Sequence, residues 1–218
     1  MPEIDAWGYD LDKYPVNYFE YFVDIGGCQG EISFRIAEKH PNTQIFCYEP
    51  SDKDYAFIQN RLSAYGNMTI INEALGNGQD LRFNEVQMGA HYFLLDNGSY
   101  SKPSRTLADI LVRNGIPRGS RYGLKIDCEG GERFLIGDRD SEDAIRNSQH
   151  LAMEVHFPPT TDKYKWLKAF PKWSIYNDWI HREFASTHDI KYSRSDRRSG
   201  RGVYALTSKK FQEECDEE

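Results

Sequence analysis

The chain has 218 residues, of which 39% are apolar, 28% charged and 14% aromatic, and carries a formal net charge of −7 from 27 bases and 34 acids. That composition excludes a disordered polymer, and one domain of this length buries about 70% of its unfolded surface. The acidic balance argues against general nucleic-acid binding, no apolar run approaches the ~20 residues of a membrane span, and no charged-then-apolar leader is visible.

Residues 1–17 are polar and aromatic without clear periodicity and are expected to cap the first strand. Residues 18–25 read as a strand, followed by a glycine-rich turn and a helix from Glu31 in which Ile32 and Ile36 share a face up to His40-Pro41. A second strand, 44–48, closes on Glu49-Pro50. Its helix takes Ser51 as N-cap and stripes Tyr55, Ile58, Leu62 and Tyr65 on one side, stopping at Gly66-Asn67. A third strand covers 68–72, and 76–103 reads as irregular or antiparallel β, with runs at 81–86 and 91–95. A short helix, 107–113, stops at Gly115. Strand four, 122–127, leads through a Gly-Gly turn into a helix from Glu132, and strand five covers 150–155. Aromatic-rich helical stretches follow (164–170 and 173–184), then β runs at 190–193 and 203–207 around a charged turn. Alternating strands and helices predict an α/β fold. The expected form is a Rossmann-like, doubly wound, mostly parallel seven-stranded sheet with an antiparallel C-terminal hairpin. A single domain over 1–218 is expected, with 18–157 as the cofactor-binding core and 158–218 as substrate-side helices plus hairpin. Four cysteines without Cys-x-x-Cys pairing or metal-ligand spacing predict reduced thiols and a cytoplasmic setting.

In such a sheet ligands bind at the carboxyl ends of the strands. The stretch 24–31, Asp-Ile-Gly-Gly-Cys-Gln-Gly-Glu, has that position after strand one. Gly26, Gly27 and Gly30 permit a tight turn and close main-chain approach. Asp24 would repel a pyrophosphate but accept an amino group, which favours cationic S-adenosylmethionine over a dinucleotide. Glu49, about 20 residues on, is placed to accept the ribose hydroxyls, and Glu73 and Ala74 to flank the adenine. At strand four, Lys125 precedes Asp127, Glu129 and Glu132. At strand five, alternation puts Glu154 and His156 on one face. Asp127, Glu129, Glu154 and His156 are therefore expected to converge, either to deprotonate a substrate hydroxyl or to hold a Mg²⁺-like divalent cation. Without that role, Glu154 would simply pair with Lys125 and His156 cap a strand. Lys125 and the hairpin arginines Arg194 and Arg197 are candidates for binding an anionic acceptor group. Tyr164, Trp166, Trp173, Tyr176 and Trp179 are either a sugar-stacking set or core.

The order DIGGCQGE, YEP (48–50), NEALG (72–76), TLADIL (106–111), KIDCEGGE and MEVH (153–156) resembles the FkbM-like methyltransferases across residues 20–157. The resemblance implies an S-adenosylmethionine-dependent O-methyltransferase acting on a small, most plausibly saccharide, acceptor. It would assign Asp24, Gly26 and Gly30 to the methionine portion, Glu49 to the ribose and Ala74 to the adenine edge, with Asp127 and Glu129 facing the methyl group. Cys28-Gln29 and Ala108 depart from the family pattern. The rival expectations are a nicotinamide-dependent oxidoreductase on the same sheet and a non-catalytic cofactor- or nucleic-acid-binding module using the Arg-rich hairpin.

Overall fold

A computed structural model describes residues 8–61, 64–84, 93–94, 98, 100–157, 170–196 and 200–211. Its elements in chain order are β1 (Tyr21–Ile25), α1 (Glu31–Lys39), β2 (Gln44–Tyr48), α2 (Asp52–Arg61), β3 (Met68–Ile71), β4 (Ala74–Leu75), β5 (Leu81–Asn84), β6 (Phe93–Leu94) and β7 (Tyr100–Lys102). They continue with β8 (Ser104–Arg105), α3 (Leu107–Arg113), β9 (Tyr122–Ile126), α4 (Arg139–Arg146), β10 (His150–His156), α5 (Trp173–Phe184), β11 (His188–Asp196) and β12 (Arg201–Ser208).

Seven strands form the main sheet, in the order β11-β12-β10-β9-β1-β2-β3. Strands β3, β2, β1, β9 and β10 run parallel, and β12 lies antiparallel between β10 and β11. The strand order reverses between β1 and β9, which opens a crevice beyond their carboxyl ends. Both faces are covered, so central strands are apolar on each side. Val23, Ile25, Leu124 and Ile126 pack with Leu107 and Ile110 of α3 and with Ile180 and Phe184 of α5. Phe22, Ile45 and Cys47 face the other way, onto Ile32 and Ile36 of α1 and Ile58 of α2, where Tyr9, Leu11 and Tyr14 complete the layer.

Three departures from the sequence expectations have physical causes. β1 starts at Tyr21 because Tyr18 and Phe19 turn into an aromatic cluster with Tyr14 and Phe211 rather than joining the ladder. The helix expected from Glu132 is a one-turn 3₁₀ segment, Gly131–Leu135, separated from α4 by Gly137 at φ 81°. The 76–103 stretch holds a small antiparallel sheet, β6-β5-β7, and is flanked by a parallel pair, β4-β8, while residues 85–92 and 158–169, with the part of the expected helical stretch that contains Tyr164 and Trp166, lie outside the described residues. Among the described residues no helix is long and apolar enough to cross a membrane.

Candidate functional site

The turn after β1 folds back on the end of β2: Gly26 and Gly27 both donate N–H to the Tyr48 carbonyl, at 2.9 and 3.0 Å. Gly26 has φ 81°, and a Cβ there would stand 1.8 Å from the Asp127 carbonyl oxygen. Glycine is therefore required where the turns after β1 and β9 press together, so this demand comes from the protein's own main chain. Two side-chain-bearing residues in the same turns, Cys28 and Glu129, are held at φ 51° and 52°, a strained conformation of the kind that gathers at functional sites. Between the turns lies a cleft of about 280 Å³, bounded by Gly26, Gly27, Cys28, Gln29 and Ile32 on one side and by Tyr9, Lys125 and Asp127 on the other.

Asp24 does not line this cleft, and its expected direct grip on a cofactor ammonium is corrected. It is fully buried beneath α1, where Ser33 donates to Oδ2 at 2.6 Å and the Lys125 ammonium lies 3.1 Å from Oδ1. The cause is register: Asp24 and Lys125 are direct neighbours on parallel strands, both turned to the α1 face. Lys125 also donates to the Gly26 carbonyl at 2.6 Å. It thus pairs with Asp24, not Glu154, and its ammonium is tied to the turn rather than extended toward an acceptor. Burial works against its charge, but Asp24 and Asp127 hold its proton more firmly than usual.

Glu49 sits beside the turn as expected. Oε2 accepts from the Cys28 N–H and Oε1 from the Ser51 N–H, both at 2.7 Å. Burial pushes its carboxyl up to about 8 despite those bonds. The adenine expectation for Glu73 is corrected: its carboxylate is forked by Arg105 at 3.0 and 3.2 Å and approached by Arg113 at 3.3 Å. Ala74 is buried in β4 with its N–H on the Pro103 carbonyl.

Three of the four residues of the expected acid corner come together. Asp127, Glu129 and His156 each place one ligand atom within 4.8 Å of the others. His156 Nε2 is 2.9 Å from Glu129 Oε2, and its Nδ1 is 2.9 Å from Glu132 Oε1. Glu154 stands off at 4.0 Å from Nε2 and 3.6 Å from the Arg201 guanidinium. Burial raises its carboxyl to about 7, with Asp127 adding to the effect. Burial would also strip His156 of its proton, yet Glu129 and Glu132 outweigh it and hold the imidazolium well above the ordinary range. As a metal-free group His156 is therefore a poor proton acceptor near neutral pH, a correction to its expected role as base.

One residue, Tyr9, escaped the sequence reading, and another, Glu132, was named there without a role. Tyr9 donates to Asp127 Oδ2 at 3.0 Å, and burial and Asp127 keep its hydroxyl protonated far above the usual range. Glu132, fully buried, accepts the His156 and Gly130 N–H groups at 2.7 and 2.9 Å. Its place in the Lys-Ile-Asp-Cys-Glu-Gly-Gly-Glu motif was the available signal, whereas nothing local marks Tyr9. Among the aromatics, Tyr176 and Trp179 are core, and Trp173 packs on Tyr192 with centroids 5.9 Å apart. Arg197 and the side chain of Arg194 lie outside the described residues.

No protein-family model matches the chain, and no curated protein matches its sequence. Solved structures do. The methyltransferase FkbM from Methylobacillus flagellatus aligns with a TM-score of 0.52 at 15% identity, over 86% of this chain and 43% of its own length. A proposed rRNA methylase from Clostridium thermocellum aligns with a TM-score of 0.54 at 9% identity, over 95% of this chain and 97% of its own. With the strand order, these likenesses define the class: the chain has the class I, Rossmann-like methyltransferase fold. It spans less than half the length of the FkbM structure it resembles.

Proposed function

We propose that the protein transfers a methyl group from S-adenosylmethionine to a hydroxyl of a small acceptor, with a saccharide as the favoured class. The observation that carries this reading is the position of Asp127, which belongs both to the glycine-turn cleft and to the acid corner. S-adenosylmethionine, when bound, supplies an electrophilic methyl on a sulfonium. The chain's own groups suit such a cation: Glu31 and Asp127 line the cleft, and its one ammonium, Lys125, is paired with the buried Asp24 beneath it. The selection against a pyrophosphate thus rests on the whole set, not on Asp24 alone. Glu49 remains the ribose ligand of this reading, and the glycine turn frames the methionine end.

Methyl transfer to oxygen needs alignment and removal of one proton. Asp127 is the proton acceptor here, its carboxylate oriented by the Tyr9 hydroxyl. The hairpin tip that carries Arg194, Arg197 and Arg201 is where an anionic group on the acceptor would be met, and a divalent cation beside Asp127 belongs to the same reading. The free thiols of Cys28, Cys47 and Cys128 support a cytoplasmic setting.

The test is calorimetry with S-adenosylhomocysteine, followed by mass-spectrometric turnover on saccharides, nucleosides, phenols and a short RNA. Asp127→Asn is expected to keep product binding within about threefold and to lower turnover by about 100-fold, the usual scale of a lost general base. Absence of adenosylhomocysteine binding, or full turnover by the variant, overturns the reading. Methylated RNA as the sole product would replace the saccharide.

A further inference from the structure

We infer that Asp127, Glu129 and His156 form a site for one first-row transition-metal dication, held from behind by Glu132. The inference deepens the methyl-transfer reading and leans on it only for what the ion would do. Its binding rests on geometry. The Glu129 Oε2 to His156 Nε2 separation of 2.9 Å is that of adjacent ligands around an ion with bonds of about 2.0–2.2 Å. Asp127 closes the set, with all three ligand atoms inside 4.8 Å.

The imidazole is pre-set for coordination. Glu132 takes Nδ1 at 2.9 Å with the same oxygen that accepts the His156 backbone N–H, and its other oxygen is anchored on the Gly130 N–H. That fixes the ring and places the second nitrogen among the carboxylates, which is the carboxylate–histidine–metal arrangement of natural sites. A second observation points to a ligand. His156 is 1% exposed, and its Nε2 has no hydrogen-bond partner, since Glu129 Oε2 is near but out of line. Buried polar atoms are nearly always satisfied, and a cation beside Nε2 satisfies it.

Donor chemistry selects the metal. One imidazole nitrogen and two carboxylates suit Mn²⁺, Fe²⁺ or Zn²⁺, whereas Mg²⁺ and Ca²⁺ prefer oxygen alone. The Mg²⁺-like expectation from sequence shifts accordingly. Glu154 leaves the ligand set because it turns toward Arg201. In the methyl-transfer reading the ion would draw charge from the acceptor oxygen beside Asp127.

The experiment titrates Mn²⁺ into tag-free, chelator-stripped full-length protein without cofactor, reading loss of the free-ion electron paramagnetic resonance signal. One Mn²⁺ per chain is expected, not displaced by an equal concentration of Mg²⁺. His156→Gln and the outer-sphere Glu132→Gln should each weaken binding by about 10–100-fold. Both side chains are buried, so a measurement on the unmutated protein stands beside them: pulsed resonance with ¹⁵N-histidine labelling should show coupling to one imidazole nitrogen. No stoichiometric binding, no nitrogen coupling, or equal Mg²⁺ affinity overturns the inference. Calorimetry with adenosylhomocysteine on the same sample separates the two readings. Product binding without a Mn²⁺ site removes the metal alone, and Mn²⁺ binding without product binding removes the methyl-transfer role alone.

Discussion

Asp24 and Lys125 meet because β1 and β9 run parallel in register and both side chains turn toward α1. Neither charge has water to fall back on, since both residues are under 5% exposed. A buried pair of this kind contributes little net stability, but removing one partner strands the other. Lys125→Met is therefore expected to cost about 3–5 kcal/mol in urea unfolding, and the double variant Asp24→Asn/Lys125→Met to recover at least half of it. Additive losses would show that the two groups are energetically independent. The pair also shows where residue-level reading reaches its limit. That an acid and three glycines mark the site was legible, because type and spacing are local. Which group the acid holds was not, because that follows from the pairing register of strands 100 residues apart in sequence. The position of Glu49 beside the glycine turn was legible for the converse reason, its partners being the main chain of its own and the adjoining turn.

Elements with local start and stop signals came out with the bounds their sequence predicts: Gln44–Tyr48, Leu107–Arg113 and Trp173–Phe184. Helix α3 shows why. Thr106 is extended at the N-cap, and its hydroxyl accepts the Asp109 N–H at 3.2 Å; Asn114 and Gly115, at φ 65°, close the other end. Thr106→Ala should cost about 1 kcal/mol in chemical denaturation, and Thr106→Ser almost nothing. An equal loss in both variants would mean that the methyl, not the cap, matters. The segment from Gly131 behaves differently. Its pattern predicts one helix from Glu132, yet the chain makes a single 3₁₀ turn there, because Glu132 bonds to Gly130 and to His156 across the sheet. A tertiary contact overrides local propensity at the place where the proposed chemistry sits, which is where such conflicts are expected.

The segment from residue 8 to 17 lies over the site, and two buried histidines tie it to the body. His150 sets Nε2 2.8 Å from the Tyr9 carbonyl and Nδ1 3.0 Å from the Tyr14 hydroxyl. His40 Nδ1 accepts the Asn17 N–H at 2.8 Å. Burial, aided by Lys13, pulls His150 down to about 3, and burial with Lys39 pulls His40 down to about 4. The His40 tie requires a neutral ring, because Nδ1 accepts, and burial keeps His150 neutral as well. Between those values and 6.5 the unfolded chain binds two protons that the folded chain refuses, so stability is complete above 6.5 and is lost as pH falls below it. Glu49, raised to about 8, acts oppositely: its folded form keeps a proton that the unfolded form releases above 4.5, so its contribution declines as pH rises toward 8. From 4.5 to 6.5 these two histidines, joined by His188, which burial also lowers, are opposed by Glu49 and by Glu154, raised to about 7, so the net slope is at most one proton, about 1.4 kcal/mol per pH unit. The urea midpoint of unfolding should accordingly peak near pH 6.5, falling toward 4.5 as the unfolded chain's histidines charge and toward 8 at a comparable rate as the Glu49 contribution is lost. His150→Gln should remove most of the acid-side slope below 6.5, since Gln carries no titrating group. A midpoint that falls as pH rises from 4.5 to 6.5 in the unmutated protein would mean that neither ring is held neutral. Tyr9, hydrogen-bonded to Asp127, would then be anchored over the cleft by something other than the two histidines.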